Sequence, residues 1–470
     1  MAPASPFPAQ WVTLSLPSCR NELIAERLAL KRETRNVESA QVKVLLVGGG
    51  GREHALAWKI AQSPELSKLY LAPGGPGLNQ FGEKIPFCDG DIEAIADFAA
   101  ENEVDLVVVG PEAPLAAGLG DLLRERGIPC FGPDRAAAQL EASKSFMKAV
   151  ASAAGAPTAA YGRFTHSQPA KEFLREQKAP YVIKADGLAA GKGVVIADNL
   201  QDADAAVDEM LGGRFGDASA AIVIEEFMRG EEASFFAITD GEHILPMLDA
   251  QDHKRAFDGD EGPNTGGMGA YSPAPVFTPA VYERTMKEII EPVVAEMRDR
   301  GTPYVGVLYA GLMIEDEHPR LVEFNARFGD PECQILMRRL RSDLLPVLLK
   351  AATGNLKDVT LDWSEDAAAL IVIATKGYPG AYDKGSEIKG VDAANTVKDV
   401  VVFHAGTRLD GDKLLAHGGR VLNVTATGKD IKQAVERAYA GVAAIDWPEG
   451  FYRKDIAWRA LEPCETEKRG

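Results

Sequence analysis

Residues 42–51 read VKVLLVGGGG, and a helical stretch, REHALAWKI, follows at residues 52–60. A short apolar run that ends in glycines and leads into a helix is typical of a strand–turn–helix unit. Two further apolar runs, at residues 68–72 and 105–110, also lead to Gly or Pro and then to a helical stretch. This repetition predicts a parallel sheet with crossover helices, which is an α/β fold.

The composition limits the classes of protein to which the chain can belong. Its 470 residues are too many for one ordinary core, and the length predicts about three domains. A hydrophobic content of 46% with 26% charged residues is that of a soluble globular protein, and no apolar run approaches the roughly 18 to 20 residues that span a bilayer. The net charge of -18 argues against nucleic acid as the main partner. We therefore expect neither a nucleic-acid nor a membrane partner.

The five cysteines are scattered and form no C-x-x-C pair. Neither a zinc site nor a disulfide framework is predicted from such spacing. A reducing compartment fits these cysteines best, so we expect a cytoplasmic protein.

The first 41 residues differ in kind from the rest of the chain. They are rich in proline at the start, and residues 21–35 fit a short basic amphipathic helix. The favoured interpretation is a disordered extension. The alternatives are an organelle transit peptide and a mis-called start, in which Val42 corresponds to a GTG start codon.

Beyond the first sheet, the pattern predicts a second unit that begins near Thr158 and a last unit that begins near residue 367. Three runs in the second unit predict strands of a small mixed or antiparallel sheet: residues 180–186, 220–227 and 232–240. A helix at residues 280–300 is expected to lead into a hairpin over residues 308–328 that turns at residues 317–319. The last unit has three predicted strands and a helix, at residues 368–375, 400–407, 420–428 and 431–443.

The glycines at residues 48–51 place bare backbone amides at a helix N-terminus, an arrangement that favours phosphate. The dinucleotide fingerprint G-x-G-x-x-G fails here, because Glu53 stands where its last glycine should be. The acidic residue expected about 20 positions later is also missing. A small phosphorylated ligand is the favoured interpretation, with a plain tight turn and a dinucleotide site as alternatives.

Residues 181–194, YVIKADGLAAGKGV, combine a strand that ends in Lys184 with a glycine-rich loop that carries Lys192. The loop is not a P-loop, because only three residues separate its glycines and no hydroxyl follows the lysine. It predicts a flap that closes over a polyphosphate and then releases it. The alternative for Lys184 is a surface lysine whose charged end reaches water.

Carboxylates cluster where the run at residues 220–227 ends. Glu225 and Glu226 end the strand, and Glu231 and Glu232 lie just beyond it. Such carboxylates accept hydrogen bonds from an adenine amino group and from ribose hydroxyls. A solvated acidic turn is the alternative.

The long segment at residues 251–275 has no obvious secondary structure, and loops of this length inside a compact protein are usually functional. Asn264, Thr265 and the neighbouring glycines offer hydrogen-bond donors, and residues 252–255 supply charge. The alternative is a structural linker.

Residues 321–332 read LVEFNARFGDPE. If residues 321–328 form a strand, Glu323, Asn325 and Arg327 share one face. The first two offer the hard oxygen ligands that magnesium prefers. Arg327 can hold a phosphate or a developing oxyanion with its planar fork. A buried structural salt bridge among the three is the alternative.

Taken together, these segments closely resemble the glycinamide ribonucleotide synthetases, or phosphoribosylamine glycine ligases, of the ATP-grasp superfamily. The resemblance runs from about residue 42 to residue 460. The matching segments include GGREHALAWK, GPEAPL, QLEASKSF, VIKADGLAAGKGV, IEEFMRGEEASF, QDHKRAFDGDEGPNTGGMGAYSPAP, EFNARFGDPE and YRKDIAWRA.

The resemblance implies an ATP-dependent ligase of de novo purine biosynthesis that uses Mg²⁺ or Mn²⁺. Such an enzyme joins glycine to 5-phosphoribosylamine through a glycyl phosphate, and it releases glycinamide ribonucleotide, ADP and phosphate. Another ATP-grasp carboxylate–amine ligase is the alternative, and an ATP-binding regulatory protein descended from such ligases is a third hypothesis. We expect a monomer or a weak dimer.

The resemblance also implies roles for individual residues. Arg327 is implied as the catalytic transition-state cation, together with Lys184. Glu323 and Asn325 are implied as the metal ligands, and residues 309–313 offer no further carboxylate for a second metal. The implied ATP-binding residues, with the loop at 187–193 as the lid, are Lys144, Lys184, Gly187, Gly191, Lys192, Gly193, Glu225, Glu226, Phe227 and Glu232, with Glu231 as an alternative to the last. The implied substrate-binding residues are Gly49, Gly50, Gly51, Arg52, Glu53, Pro111, Glu112, Asn264, Thr265, Gly266, Gly267 and Asp330.

The expected domain organisation follows from the same resemblance. The fold class is α/β, with α+β structure in the lid. The expected parts are a disordered extension at 1–41, an N-terminal parallel-sheet substrate domain at 42–143, an ATP-grasp domain at 144–360 with a small lid at about 158–232, and a β-rich C-terminal domain at 361–465.

Overall fold

The N-terminal part of the chain is a parallel sheet with helices around it, as predicted. A computed structural model describes residues 41–188, 193–214 and 216–461. The predicted extension at residues 1–40 lies outside these ranges. The strands are β1 (Val42–Gly48), β2 (Leu66–Pro73), β3 (Glu83–Lys84), β4 (Leu106–Val109) and β5 (Cys130–Phe131). They run parallel in the order β3–β2–β1–β4–β5. The helices are α1 (Gly51–Ile60), α2 (Ile92–Glu101), α3 (Glu112–Ala117), α4 (Leu119–Glu125), α5 (Arg135–Ala142) and α6 (Lys144–Ala153).

The central strand β1 is apolar along its length because both of its faces are buried. Residues 44–47 are fully buried, as expected for a central strand covered by helices. The chain then turns at Gly48, whose φ of +115° is a conformation that side chains rarely adopt. A Cβ at this position would also come within 2.6 Å of the Glu53 side chain. This turn delivers Gly50 as the N-cap of α1.

A small antiparallel sheet forms the predicted lid. Its strands are β6 (Tyr161–Phe164), β7 (Tyr181–Ala185), β8 (Val194–Ala197) and β9 (Ile222–Glu225), in the order β6–β9–β7–β8. Helices α7 (Ser167–Glu176) and α8 (Leu200–Leu211) belong to the same part. The assignment of residues 232–240 to this sheet is wrong, because Glu231–Asp240 is a strand of another sheet.

That other sheet has nine antiparallel strands and extends across the predicted ATP-grasp and C-terminal domains. Its strands are β10 (Glu231–Asp240), β11 (Ile244–Asp252), β14 (Gly269–Ser272), β15 (Val305–Glu315), β16 (His318–Asn325), β17 (Ala367–Thr375), β19 (Val400–His404), β22 (Arg420–Gly428) and β23 (Gly450–Phe451). Strand β14 joins the two predicted domains, since it pairs with β11 on one side and with β17 on the other. The predicted domain boundaries stay a prediction.

Two sequence predictions need correction at the strand ends. The hairpin of β15 and β16 turns at Asp316 and Glu317, with φ of 50° and 59°, and not at residues 317–319. Strand β16 ends at Asn325, so Arg327 lies beyond the strand on which it was predicted.

The segment at residues 251–275 was predicted to lack secondary structure, and it contains short strands. They are β12 (Arg255–Phe257) and β13 (Glu261–Asn264), which pair with each other, and β14. The predicted helix at 280–300 consists of α9 (Pro279–Arg284), a π-helical turn (Thr285–Ile290) and α10 (Glu291–Asp299). The π-helical turn lies just before Pro292. Proline has no backbone N–H, so it cannot donate the hydrogen bond of an ordinary helical residue.

The remaining elements complete the C-terminal part. They are α11 (Glu332–Arg339), α12 (Leu344–Ala352), α13 (Val391–Asn395), α14 (Ile431–Ala443), α15 (Trp458–Leu461) and a three-stranded sheet of β18 (Glu387–Ile388), β20 (Thr407–Asp410) and β21 (Lys413–Ala416). Among the helices described, none has both the length and the apolar character that crossing a bilayer requires.

Candidate active site

A cleft of about 590 Å³ brings together side chains from the parallel sheet, the lid sheet and the nine-stranded sheet. The predicted site residues that line it are Arg52, Pro111, Glu112, Lys144, Lys184, Gly193, Glu225, Glu226, Phe227, Glu232, Asn264, Thr265, Gly266, Glu323, Asn325, Arg327 and Asp330. Among the described residues, the predicted ones that do not line it are Gly49, Gly50, Gly51, Glu53, Gly187 and Gly267. Gly191 and Lys192 lie outside the described residues. One cleft therefore contains most of the predicted site.

Lys184 is a buried cleft residue, so its interpretation as a surface lysine is wrong. It is 5% exposed, and its Nζ lies 2.9 Å from Oε2 of Glu225. Lys148, which the sequence analysis missed, lies 3.1 Å from the same oxygen. Burial lowers the pKa of Lys148 to about 8, against the attraction of Glu225. The available signal was its spacing, because a residue four positions after Lys144 lies on the same face of α6.

The pairing of both lysines with one oxygen leaves the other oxygen of Glu225 available. Oε1 is buried and has no hydrogen-bond partner among the described residues. A buried acceptor without a donor is unfavourable in free energy. We therefore expect this atom to accept a hydrogen bond from a bound ligand. An exocyclic amino group of a base is such a donor.

Of the three neighbouring acids, Glu226 and Glu232 line the cleft and Glu231 does not. Glu226 accepts a hydrogen bond of 2.8 Å from Arg320, which lowers the pKa of Glu226. Glu231 accepts a hydrogen bond from Gln251 and does not line the cleft. Glu232 does line it. The geometry therefore favours Glu232 over Glu231 as the ribose contact.

Glu323 and Asn325 lie at the end of β16, where the opposing strand carries a glycine. Gly311 pairs with Glu323, so no side chain on the neighbouring strand covers that carboxylate. Burial alone would raise the pKa of Glu323, but the fields of Lys144 and Lys184, with those of Lys254 and Arg327, lower it. The site therefore offers an anionic carboxylate and an amide oxygen, a donor set that suits Mg²⁺ or Mn²⁺.

No larger metal-binding cluster gives an alternative to this pair in the part of the chain that the structure describes. Within the described ranges, no group of three or more His, Cys, Asp or Glu side chains is arranged to hold a metal. A magnesium ion held by these two side-chain oxygens would take phosphate and water oxygens as its other ligands.

Arg327 is held between two carboxylates, and neither of them is Glu323. Its Nη2 lies 3.0 Å from Glu141 and its Nε lies 3.4 Å from Glu112. The interpretation of residues 323–327 as a salt bridge among themselves is therefore wrong. Burial opposes the charge of Arg327, but Glu141 and Glu112 hold its pKa above the usual range.

Glu141 is a site residue that the sequence analysis missed. It lies at the end of α5, and its second oxygen accepts a 2.6 Å hydrogen bond from the backbone N–H of Ala326. Burial raises the pKa of Glu141 to about 7, although Arg327 opposes the shift. Glu141 thus fixes both the backbone before Arg327 and the guanidinium itself.

Replacing Glu141 by glutamine is expected to lower kcat about tenfold, because a neutral amide binds a guanidinium more weakly than a carboxylate does. Glu141 is anionic above its pKa of about 7 and protonated below it. Wild-type kcat should therefore fall as the pH drops through about 7, and the variant should lack this decline. A pH profile of kcat at saturating substrates is the measurement. Glu93→Gln, which alters an exposed ion pair with Arg126, is the control. An acidic decline that persists in Glu141→Gln would contradict this role.

Glu53 caps helix α1 and does not line the cleft. Its Oε2 accepts a 2.7 Å hydrogen bond from the N–H of Gly50, and its Oε1 pairs with Arg52 at 2.7 Å. A Cβ at Gly110 would come within 2.1 Å of the Glu53 carboxylate. The residue that breaks the dinucleotide fingerprint therefore caps α1 and orients Arg52 toward the cleft.

Two C-terminal residues complete the wall near Gly266. Arg420 donates hydrogen bonds of 2.6 Å to the carbonyl oxygens of Gly266 and Asp330. The Tyr378 hydroxyl accepts a hydrogen bond of 3.2 Å from the N–H of Gly266. Both side chains line the cleft, and neither was among the predicted site residues. They lie in the segments GYPGAY (377–382) and GGRVLNVTA (418–426), which belong to the family resemblance but indicate no role in the site. They fix the glycine segment from a distance of more than 100 residues along the chain.

A small lid sheet over a lysine-lined cleft, with a hard-oxygen pair at the end of a strand, defines the chain as an ATP-dependent ligase of the ATP-grasp class. Models of phosphoribosylglycinamide synthetase match it in three consecutive parts. They are the N domain at residues 42–141, the ATP-grasp (A) domain at 142–333 and the C domain at 368–459. The chain belongs to the phosphoribosylglycinamide synthetase family.

Relatives and solved structures agree with this assignment. The phosphoribosylamine–glycine ligase of Rhizobium meliloti is 58% identical over 421 residues, which are 89% of this chain and 99% of the relative. That of Salmonella typhimurium is 53% identical over 426 residues, 90% of this chain and 99% of the relative. The crystal structure of the Thermotoga maritima ligase has a TM-score of 0.78 at 31% identity and covers 88% of this chain and 100% of that chain.

The fold extends to more distant enzymes. The biotin carboxylase domain of a Hydrogenobacter thermophilus 2-oxoglutarate carboxylase has a TM-score of 0.68 at 16% identity, over 88% of this chain and 92% of that chain. At this identity the likeness concerns the fold alone.

Proposed function

We propose that the chain joins glycine to 5-phosphoribosylamine in de novo purine biosynthesis. ATP phosphorylates glycine to glycyl phosphate, and the amine then displaces phosphate to give glycinamide ribonucleotide. The observation that carries the proposal is the single cleft in which Lys184 and Glu225, the pair Glu323 and Asn325, and Arg327 meet. The family to which the chain belongs supports the same reaction.

The nucleotide lies against the lid sheet in this proposal. Lys144 and Lys184 hold the phosphates, and Glu232 accepts hydrogen bonds from the ribose hydroxyls. The free Oε1 of Glu225 accepts the adenine amino group, with Phe227 beside the base. Lys148 fixes the orientation of Glu225, because its Nζ lies 3.1 Å from the opposite carboxylate oxygen.

Glu323 and Asn325 are the residues that would hold Mg²⁺ or Mn²⁺. When bound, the metal neutralises charge on the phosphate oxygens. The chain's own contribution is a carboxylate that four surrounding cations keep ionised. A second metal has no identified ligands.

The first chemical step places two anions in contact, and the cations of the cleft offset their repulsion. A glycine carboxylate oxygen forms a bond to the γ-phosphorus while the bond to the ADP oxygen breaks. Arg327 holds the oxygens of the transferred group in a fixed fork. The amine nitrogen then bonds to the acyl carbon as phosphate leaves, and a proton is released. No enzyme nucleophile takes part.

The two substrates are assigned to different walls of the cleft. The proposed contacts for the ribosylamine phosphate and its sugar are Arg52, Pro111 and Glu112, which line the cleft, and the amides of Gly49 and Gly51, which lie next to Arg52 in the chain and outside the lining. The N–H of Gly50 is already bound to Glu53, so it is not one of these donors. Residues 264–267 and Asp330 are the proposed contacts on the acyl side.

An assay of ADP release tests the proposed function. We expect release that requires both glycine and ribosylamine together with ATP and Mg²⁺. Alanine or bicarbonate in place of glycine tests for the activity of another ATP-grasp ligase. Release that proceeds equally well with alanine or bicarbonate, or without ribosylamine, would refute the proposal.

A cytoplasmic location and a monomeric or weakly dimeric state belong to the same proposal. The described cysteines, Cys88, Cys130 and Cys333, are free thiols, which suits a reducing compartment. Sedimentation velocity at several protein concentrations tests the oligomeric state.

A further inference from the structure

An ion network with a buried arginine at its centre lies on the side of the β12–β13 hairpin where the C-terminal segment packs. We call residues 453–459 the C-terminal strap. Arg453 is at its centre, with a fully buried side chain. Its Nε and Nη2 donate to Asp455 at 2.8 and 2.7 Å. Its Nη1 donates to Asp260 at 2.8 Å and to the carbonyl of Arg255 at 3.1 Å. One guanidinium thus joins the strap to strand β12 and to the tip of the hairpin.

Further contacts repeat this connection along the strap. The N–H of Lys454 donates to Asp258 at 2.7 Å, and the N–H of Gly259 donates to Asp455 at 2.8 Å. The N–H of Ala457 donates to Nε2 of the buried His253 at 2.9 Å. Arg459 pairs with Asp260. Contacts therefore run from residue 253, before the hairpin, to its tip at residues 258–260.

The same hairpin carries cleft residues at its base. Lys254, Asn264 and Thr265 line the cleft, and both the N–H and the hydroxyl of Thr265 donate to the Lys254 carbonyl at 2.8 Å. Arg255 pairs with Asn264 across the two strands. The position of these residues in the cleft thus depends on the shape of a hairpin that the strap holds.

We infer that the C-terminal strap is a positioning element for the acyl-side wall of the cleft, with Arg453 and Asp455 as positioning residues. None of the strap residues lines the cleft, so they act through Lys254, Asn264 and Thr265. The inference rests on the proposed function, because it assigns that wall to glycine and its acyl phosphate. The nucleotide contacts Lys184 and Glu225 belong to the lid sheet, and no strap residue contacts that sheet among the residues that the structure describes. Lys254 lies 3.9 Å from Glu232, the proposed ribose contact, so ADP binding is a necessary second readout.

Loss of the Arg453 guanidinium fork should impair the kinetics with glycine more than it weakens nucleotide binding. In a buried network, removal of one partner leaves the others unpaired, so the hairpin is expected to shift. A displacement of about 1 Å in a positioning group can cost on the order of a hundredfold in rate. For Arg453→Lys, which keeps the charge and loses the fork, we expect kcat/KM for glycine to fall at least about tenfold.

The test compares Arg453→Lys with Arg437→Lys in the full-length chain. Arg437 forms an ion pair with Asp399 at 2.8 Å and donates a hydrogen bond to the backbone carbonyl of Thr427. Among the described residues it does not contact the hairpin, so it controls for the loss of a guanidinium in the same domain. The readouts are KM for glycine, KM for ATP, binding of ADP and hydrogen exchange of residues 255–264. Asp258→Ala, which removes one exposed contact, is a milder second variant if Arg453→Lys does not fold.

The positioning role of the strap is supported if Arg453→Lys raises KM for glycine and speeds hydrogen exchange in residues 255–264 while ADP binding stays unchanged within about twofold. Unchanged glycine kinetics and unchanged exchange in a folded variant would overturn it. Equal losses for glycine and ADP would also overturn it, because they indicate a general structural role. If the wild-type chain lacks glycine-dependent ADP release, the proposed function fails. The exchange data then still decide whether the strap holds the hairpin.

Discussion

Replacing Glu323 by alanine is expected to reduce kcat by about a thousandfold while KM for ribosylamine changes only a few fold. Glu323 is the charged member of the pair that would hold the metal, and cations from Lys144 and Lys184, among others, keep it ionised. Its loss leaves Asn325 as the remaining side-chain oxygen. Charge on the phosphate oxygens is then poorly offset during transfer, whereas the ribosylamine wall is untouched.

The matched variants for this prediction lie on the same hairpin. Glu323→Gln keeps the shape and removes the charge, so it should lose nearly as much turnover as the alanine variant. Glu315→Ala removes an exposed carboxylate at the far end of β15 and should leave kcat unchanged. Kinetics at several Mg²⁺ concentrations add a second readout, since a weakened metal site needs more Mg²⁺ for half-maximal rate. Equal losses in turnover and in ribosylamine binding would count against the metal role.

The predictions that succeeded depend on local pattern. The run at residues 42–51 predicts a buried strand and a glycine turn because both properties belong to consecutive residues. The alternation in residues 323–325 likewise places Glu323 and Asn325 at one cleft, since side chains two apart on a strand share a face.

The predictions that failed depend on partners far along the chain. Residues 231–240 have the composition of a strand, but their sheet is decided by β15, whose residues 305–314 pair with them. The spacing in residues 323–327 does not reveal where β16 ends. It also does not reveal the partners of Arg327, because the carboxylates that hold this side chain come from residues 112 and 141. Neither of those pairings has a sequence signal.

The same reasoning explains the strap and the missed cleft residues. Arg420 and Tyr378 reach Gly266 from the C-terminal part, and Arg453 reaches Asp260 over 193 residues. A sequence motif such as YRKDIAWRA can mark such residues as part of a family. Only the fold places them against the hairpin whose base lines the cleft.

Replacing Arg327 by lysine is expected to lower kcat about a hundredfold or more, with ADP binding nearly unchanged. Lysine keeps the positive charge, so it still offsets part of the phosphate charge. It lacks the planar fork that spans Glu112 and Glu141 in this structure, and it presents a single ammonium to the oxygens of the transferred group. Binding of ADP, which lacks the transferred group, does not depend on this contact.

Arg327→Met separates charge from geometry, because it removes the cation and leaves two carboxylates without their partner. Breaking a buried pair in this way costs about 3 to 5 kcal/mol, so the melting temperature should fall more for Met than for Lys. Combining Arg327→Lys with Glu141→Gln tests whether the two residues act as a unit. We expect the double variant to lose little more kcat than Arg327→Lys alone, because Glu141 acts by holding the guanidinium that lysine has already replaced. Fully additive losses would mean that Glu141 has a separate role in the reaction.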